Sequence, residues 1–487
     1  MTLQPVHEGE LGAALLRDLS APRRPPGFVV EQADTAALGA YHRLRREQFV
    51  LEQGLFEHTD LDERDDDERT VVLVARAGDG TVLGGVRLGP ATEGPDVGWW
   101  QGGRLVTRDG AGAGAALVRA ACARAEAEGA LRFDATVQPR YRSFFARLGW
   151  EHVRAVGVAG APHELMRWPI HRVQALTQAT KRDLGALLQP FAADQLALGG
   201  TGFIGDDGAP VPGSDLVAAC DAILPSMVER DPEWAGWCSV LVNLNDLAAM
   251  GATPVALLDA VGARDRSFAA RILSGLRRAS QAYGVAVIGG HTQLGVPASL
   301  SVTALGRAGR PVPGGGGRPG DRIRLTADLG GGWRAGYAGR QWDSTSHRST
   351  AELQAMLGLV ATHRPNAAKD VSMAGIAGTL GMLAEAGDCG AVLEVQDVPR
   401  PGGASTGDWL TCFPGFAMLT AETSGTAEPG GIEPPAGPAT TAVCGELTAG
   451  RGVQLRWPDG ELTEAVAGPV TGLGPATPTG HHHRGES

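Results

Sequence analysis

The sequence predicts a multidomain protein of mixed α/β and α+β character, and three observations predict it. Apolar runs that read as strands alternate with helical periodicities along most of the chain, the arrangement that stacks helices on sheets. The length of 487 residues exceeds one ordinary domain and suggests about three. Four consecutive glycines within Pro311 to Arg318 read as a flexible hinge between two halves of the C-terminal part.

Composition narrows the function. A hydrophobic content of 43% and a charged content of 20% fit a globular chain with ample core. No apolar run reaches the roughly 18 residues needed to span a bilayer, and Met1 to Leu11 lacks the basic and apolar regions of a leader. The expectation is a cytoplasmic protein with no membrane partner. A formal net charge of −11 argues against a nucleic-acid partner. It also sets a problem for any bound polyphosphate, which a carboxylate-held divalent cation would resolve. The cysteines (122, 220, 238, 389, 412 and 444) form no C-x-x-C pair and read as buried free thiols. Lys181 and Lys369 are the only lysines; the richness in arginine and glycine reads as compositional bias.

Residues 1–27 read as an N-terminal arm. A strand (Phe28 to Glu31) and a helix (Asp34 to Gln53) follow, then an acidic run, Asp60 to Glu68, expected to be a solvated loop. Two strands, Val71 to Ala77 and Val82 to Leu88, are joined by Gly78-Asp79-Gly80. From Gly103 to Val118 a strand leads through a Gly/Ala loop into a helix (Ala115 to Glu128). Glycine lets backbone approach a ligand closely, and free N–H groups at a helix start favour an anion. A strand (Leu131 to Val137) and an aromatic helix ending at Gly149-Trp150 complete the pattern. Residues 28–168 resemble the GNAT family of N-acyltransferases. The resemblance implies acetyl-CoA as cofactor, with its pyrophosphate on the loop formed by Val106, Arg108, Gly110, Gly112, Gly114 and Ala115. Asp109 departs from the family, which places a basic or amide residue there. Glu47, Glu52 and Tyr141 are candidates for acid–base work. Glu52-Gln53-Gly54 and Asp60-Leu61-Asp62 also resemble the acyl-homoserine-lactone synthase relatives of that family.

Residues 169–189 read as a connecting segment with a helix from Gln178 to Leu188. The stretch that organises the remainder is Val242 to Pro254. Trp237, Val240, Leu241, Leu244 and Leu247 recur at helical spacing, while Asn243 and Asp246 share a different face. Met250-Gly251 stops the helix and Pro254 blocks its continuation, before a strand, Val255 to Leu258. Gly205-Asp206-Asp207-Gly208, Asp221 ahead of Ile223-Leu224-Pro225, and Gly289-Gly290-His291-Thr292 are all expected at strand or helix ends. Lys369-Asp370-Val371-Ser372 precedes a small-residue helix. These motifs, in this order, resemble the AIR synthase (PurM-like) superfamily, nearest its selenophosphate synthetase and thiamine-phosphate kinase branches. The resemblance implies a PurM-like N-terminal ATP-binding subdomain over 190–310 and a C-terminal subdomain over 311–474. Residues 475–487, with His481-His482-His483, are expected to be a disordered tail.

What the resemblance implies for chemistry is specific. Asp207, Asp221, Asp246 and Asp370 become ligands for Mg²⁺ carried with ATP, with Asp206 as a fifth. Asn243, Gly290 and Thr292 become nucleotide contacts, and Asp246, His291 and Lys369 catalytic residues. The partners implied are small-molecule substrates and a second copy of the chain in an isologous homodimer. The segment Gln195 to Gly202 carries neither the Cys nor the Lys of selenophosphate synthetases, and His291 stands where thiamine-phosphate kinases have Asp. The fused order resembles proteins of nitrilase-associated nitrogen-starvation gene clusters. The expectation is a bifunctional enzyme, an acyltransferase joined to an ATP-dependent enzyme acting on a small metabolite. The alternatives are a non-catalytic half serving binding or dimerisation, or a nucleotide sensor.

Overall fold

The computed structural model describes residues 27–192, 194, 197–423 and 437–476. The expected arm up to residue 26, Gln195-Leu196, and the expected tail from residue 477 with its three histidines lie outside the described residues. The chain forms two compact units: the described residues up to Ala91 with Trp100–Glu128 and Arg132–Pro169, and Thr92–Trp99 with Gly129–Leu131 and the described residues from Ile170 onward.

In the first unit, β1 (Phe28–Gln32) leads to α1 (Thr35–Arg45), whose start is capped by the Asp34 carboxylate accepting from the Ala37 N–H at 2.7 Å. The helix continues as a π-helical segment, Arg46–Glu52. Three strands, β2 (Val71–Ala77), β3 (Val82–Pro90) and β4 (Trp99–Thr107), extend the sheet as an antiparallel meander. Then come α2 (Gly114–Ala127), β5 (Arg132–Val137), α3 (Arg142–Arg147), β6 (Glu151–Val158) and β7 (Ala161–Trp168), giving the order β1-β2-β3-β4-β5-β7-β6. A bulge sets Arg104 and Leu105 of β4 against Val86 of β3, and Arg104 takes a left-handed φ of 54°.

The acidic run is only in part the solvated loop expected: Asp62, Glu63, Asp66 and Glu68 are exposed, but Asp60 is buried and Asp65 is turned inward. Arg45 of α1 and Arg87 of β3 are buried, and the run folds over them. Arg45 donates to Asp60 and Asp65 at 2.6 Å each, Arg87 reaches Asp65 at 2.7 Å, and Arg104 pairs with Asp62 at 3.0 Å. A guanidinium cannot shed its charge, so burying it demands carboxylates beside it. Asp65 is accordingly held well below its ordinary pKa: burial opposes this, and the hydrogen bonds from Arg45 with the charge of Arg87 overcome it.

The second unit begins with α4 (Arg172–Lys181) and α5 (Leu184–Leu188), two helices where one was expected, broken at Arg182-Asp183. Its first half contains β8 (Ala209–Pro210), β9 (Leu216–Ala222), α6 (Pro225–Arg230), α7 (Pro232–Ala249), β10 (Thr253–Ala263), α8 (Arg266–Tyr283), β11 (Val287–Leu294) and β12 (Ser299–Arg307). The sheet order is β11-β10-β12-β9-β8, with β10 and β11 parallel and the other pairs antiparallel. Helices α7 and α8 cross at glycines: a Cβ on Gly236 would strike the Ile272 carbonyl, and one on Gly275 the Glu233 carbonyl. The stripe Trp237, Val240, Leu241, Leu244 and Leu247 is buried, and Gly251 ends the helix with φ 64°.

The second half is built from β13 (Arg322–Ala327), a short pair β14 (Gly332–Trp333) and β15 (Trp342–Asp343), α9 (Thr350–Leu357), α10 (Leu359–His363), β16 (Ala367–Asp370), α11 (Gly375–Ala386), β17 (Gly390–Glu394), α12 (Thr406–Thr411), β18 (Ala417–Glu422), β19 (Thr440–Thr448), β20 (Val453–Arg456) and β21 (Leu462–Val466). Its main sheet runs β16-β18-β13-β19-β17-β20-β21. The glycine run between the halves is not the loose hinge expected. Cβ atoms on Gly314, Gly315, Gly316 and Gly317 would meet Asp206, the Ala386 carbonyl, the Asn366 carbonyl and Leu447 respectively. Glycine is required there for close approach. Cys220, on β9, departs from the buried-thiol expectation and is exposed; the other five cysteines are buried, and all six are free thiols. Among the described residues no helix is long and apolar enough to cross a membrane.

Candidate functional site

Five carboxylates and one ammonium mark the site in the second unit. Asp206 and Asp207 lie in the loop before β8, Asp221 near the end of β9, Asp246 in the last turn of α7, and Lys369 and Asp370 at the end of β16. Asp246, Lys369 and Asp370 are buried. The Lys369 Nζ donates to Asp207 Oδ1 at 3.0 Å and to the Gly205 carbonyl at 3.1 Å, and lies 3.7 Å from Asp206 Oδ1. The Asp370 N–H donates to Asp207 Oδ2 at 3.1 Å. Gly314 N–H donates to both oxygens of Asp206, at 3.0 and 2.9 Å.

The electrostatics show how closely these groups share one environment. Burial, then the charges of Asp370, Asp221 and Asp207, push Asp246 well above the ordinary carboxylate pKa. Burial, Asp207 and Asp221 do the same to Asp370. Asp206 is raised to about 6, chiefly by burial, with Lys369 opposing. Desolvation and the charge of Asp207 raise the Asp221 pKa as well, with Lys181 opposing, although the residue is exposed. Lys369 moves the other way: burial pulls it down, but Asp207 and Asp206 hold it above its usual value.

The expected nucleotide contacts fall out differently. Asn243 is wholly buried, and both ends of its amide are used inside the fold. Its Oδ1 accepts from the Asp221 N–H at 3.1 Å and its Nδ2 donates to the Ser239 carbonyl at 2.8 Å, so it braces Asp221 against α7. Gly290, His291 and Thr292 were expected at a strand end, but β11 runs through all three to Leu294. The parallel pairing with β10 extends from Leu257↔Val287 to Ala263↔Leu294 and carries the strand past the glycines. All three are exposed, and His291 has no hydrogen-bond or ion-pair partner among the described residues. A Cβ on Gly290 would meet the Asp259 carboxylate and carbonyl.

Sequence reasoning passed over Lys181, at the end of α4, whose charge reaches both Asp221 and Asp370. The signal was in the composition: both lysines of the chain act on this one group of carboxylates.

The donor set suits magnesium. It is all carboxylate oxygen, with negative charge in excess of the one buried cation, and hard oxygen donors are what Mg²⁺ takes. Among the described residues no three Asp, Glu, His or Cys side chains converge closely enough to cage an ion alone. Mg²⁺ does not need such a cage, since it uses one or two carboxylates, water and substrate phosphate.

The first unit has a site of its own, a cavity of about 550 Å³. Asp109, Gly112, Gly114 and Ala115 line it, as does Val106, facing Glu52 of the π-helical segment and Tyr141. Helix α2 starts at Gly114, and Ala113 at its N-cap offers no side-chain cap to the first N–H groups. Gly110 and Arg108 do not line the cavity; the Arg108 guanidinium instead donates to the Val82 carbonyl at 3.2 Å.

Comparison with known proteins matches two family descriptions, AIR synthase related protein, N-terminal domain, over residues 205–308, and AIR synthase related protein, C-terminal domain, over 318–428. An uncharacterised protein of Synechocystis is 38% identical over 226 residues, 44% of this chain and 69% of that protein. An uncharacterised protein of Methanocaldococcus jannaschii is 31% identical over 241 residues, 48% of this chain and 73% of its own. A thiamine-monophosphate kinase of Halobacterium salinarum is 32% identical over 219 residues, 43% of this chain and 74% of its own.

The raised carboxylates predict a pH-dependent gain. A carboxyl with a raised native pKa binds its proton more tightly folded than unfolded. The stability this confers is full below the unfolded value of 3.8 and is lost as pH rises through the native value. Asp246→Asn removes that loss. In metal-free buffer its melting temperature should match the wild type near pH 4 and exceed it by about 2–4 °C or more near neutrality. Scanning calorimetry across pH checks this, and a variant that melts below the wild type at neutral pH contradicts it.

Proposed function

This chain belongs to the AIR synthase-related family, and from that premise we propose that its second unit is an ATP- and Mg²⁺-dependent enzyme that phosphorylates or activates a small metabolite. One observation carries the reading: the carboxyl groups of Asp207, Asp221, Asp246 and Asp370, from four separate segments, crowd one partly buried site, and burial with their mutual repulsion raises the pKa of Asp246 and Asp370. Crowded carboxylates cost stability unless a cation is to be held. Asp207, Asp221, Asp246 and Asp370 would hold Mg²⁺, with Asp206 behind them. The ion supplies charge neutralisation for phosphoryl transfer, a reaction that rests on positioning and electrostatics more than on covalent chemistry. Asn243 keeps Asp221 in register through its backbone N–H, and Lys369 is the buried ammonium nearest the carboxylates. The similarity to thiamine-monophosphate kinases favours kinase-type chemistry; the metabolite is a matter for assay.

The expected homodimer is part of this reading. Among the described residues strand β11 pairs with β10 alone, and Ile288 and Leu294 on it are 65% and 51% exposed. An unpaired edge carrying apolar side chains invites a second sheet.

For the first unit we propose acyl transfer from a coenzyme A thioester. The cavity supports it, with a glycine-bearing loop and an uncapped helix start on one wall. Such N–H groups hold a pyrophosphate. The left-handed φ of Arg104 within β4 is the sort of strain that collects at binding sites.

Three measurements follow. Asp246→Asn should abolish Mg²⁺-dependent ATP binding in calorimetry while leaving the fold intact; unchanged affinity would remove the metal assignment. Light scattering should return the mass of a dimer, and a monomer mass independent of concentration would overturn the assembly. Acetyl-CoA should bind the full chain saturably. Asp109→Arg should tighten it by about three- to thirty-fold, since the swap removes one repelling charge and adds one attracting charge beside the pyrophosphate, each contributing about 0.3–1 kcal/mol. Gly112→Val should abolish it, because Gly112 holds φ 66°. No binding by the wild type, restored by Asp109→Arg, would make the domain a non-catalytic GNAT relative.

A further inference from the structure

The carboxylates of the site are unequally served. Asp206 and Asp207 have every oxygen engaged, by the Gly314 N–H, the Asp370 N–H and Lys369. The carboxylate oxygens of Asp221, Asp246 and Asp370 have no hydrogen-bond or ion-pair partner among the described residues. One buried ammonium therefore stands at one end of a group that needs more positive charge than it supplies. Lys369 faces three acceptors, at 3.0 and 3.1 Å with a third at 3.7 Å, and an ammonium has three protons to give.

We infer that Lys369 is the resident counter-cation of this site, holding Asp206 and Asp207 in place in the metal-free protein and yielding Asp207 when a divalent cation enters. The inference rests on the magnesium reading above and adds a competitor to it. Two cations cannot share one Asp207 oxygen without repelling each other. Of the two, the lysine can move, since its charge rides on a flexible four-carbon stem. Gly314 lets the stem pack where it does: a Cβ there would lie 3.0 Å from the lysine Cε and 3.2 Å from Nζ. The ammonium leaves with its proton, no bond is made or broken, and Nζ is released toward whatever anion accompanies the metal. An arginine could not serve in the same way, because its planar fork would keep both carboxylates bound bidentately.

The test compares Lys369→Met and Lys369→Gln with the wild type as full chains, titrating Mg²⁺ without nucleotide by calorimetry and recording melting temperatures with and without the ion. Removing the competitor should tighten Mg²⁺ binding about ten-fold or more, the scale of one unit charge a few ångström away. It should also enlarge the rise in melting temperature that Mg²⁺ produces. Equal or weaker Mg²⁺ binding in folded variants overturns the inference. If Lys369→Met folds only with Mg²⁺ present, that recovery supports it; failure of both variants to fold at any Mg²⁺ concentration overturns it. Asp246→Asn added to Lys369→Gln separates this from the underlying reading. Tight binding that survives the double change places the ion elsewhere and sinks the magnesium site, whereas loss of binding leaves the competitor question to the single variants.

Discussion

Like charges held close together and partly out of water are the constraint on which the second unit depends. Asp246 sits on a helix that is buried on nearly every side, and Asp370 ends a strand buried at all its positions. A protein selected for stability alone would fill those positions with apolar side chains of similar size. The architecture instead braces them. Asn243 fixes the backbone of Asp221, the Gly314 N–H fixes Asp206, and the Asp370 N–H fixes Asp207. Repulsion is thereby held in a braced frame, as strain persists only where the surrounding structure over-determines a position.

Much of this frame was legible in the sequence, because it follows from local rules. The helical stripe from Trp237 to Leu247, the glycine stop at Gly251 and the order of the acidic motifs are all short-range signals. What escaped has a long-range cause. The acidic run from Asp60 reads as a solvated loop until Arg45 and Arg87 are known to be buried beneath it, and nothing near either arginine says so. The strand through Gly290 and His291 reads as ending at the glycines, since isolated glycines weaken a strand; pairing with β10 carries it on. Lys181 stands well ahead of the acidic motifs in sequence, and only tertiary structure brings its charge to them.

The first unit answers the same problem with the opposite sign. There the buried charges are guanidiniums, and the acidic run supplies what they lack. That network also reaches the cavity wall. Arg104, at the β4 bulge, donates to the Asp60 carbonyl and lies over the Phe56 ring at 4.7 Å. The shape of the cavity and the pairing of the buried arginines are therefore one structural decision, and a change at Asp60 or Asp65 would be felt at the cavity wall.

The passage Gly314 to Gly317 bears on how such a protein can change over evolutionary time. A run of four glycines usually marks a place where chains tolerate insertion, cutting or the exchange of modules. Here it is pressed on four sides by the acidic loop, the end of α11, Asn366 and β19, so it packs beside the carboxylate cluster and is not a tether between modules. Recombination across it would have to carry the neighbouring residues along. The two halves of the second unit are bound to be inherited, and to diverge, together.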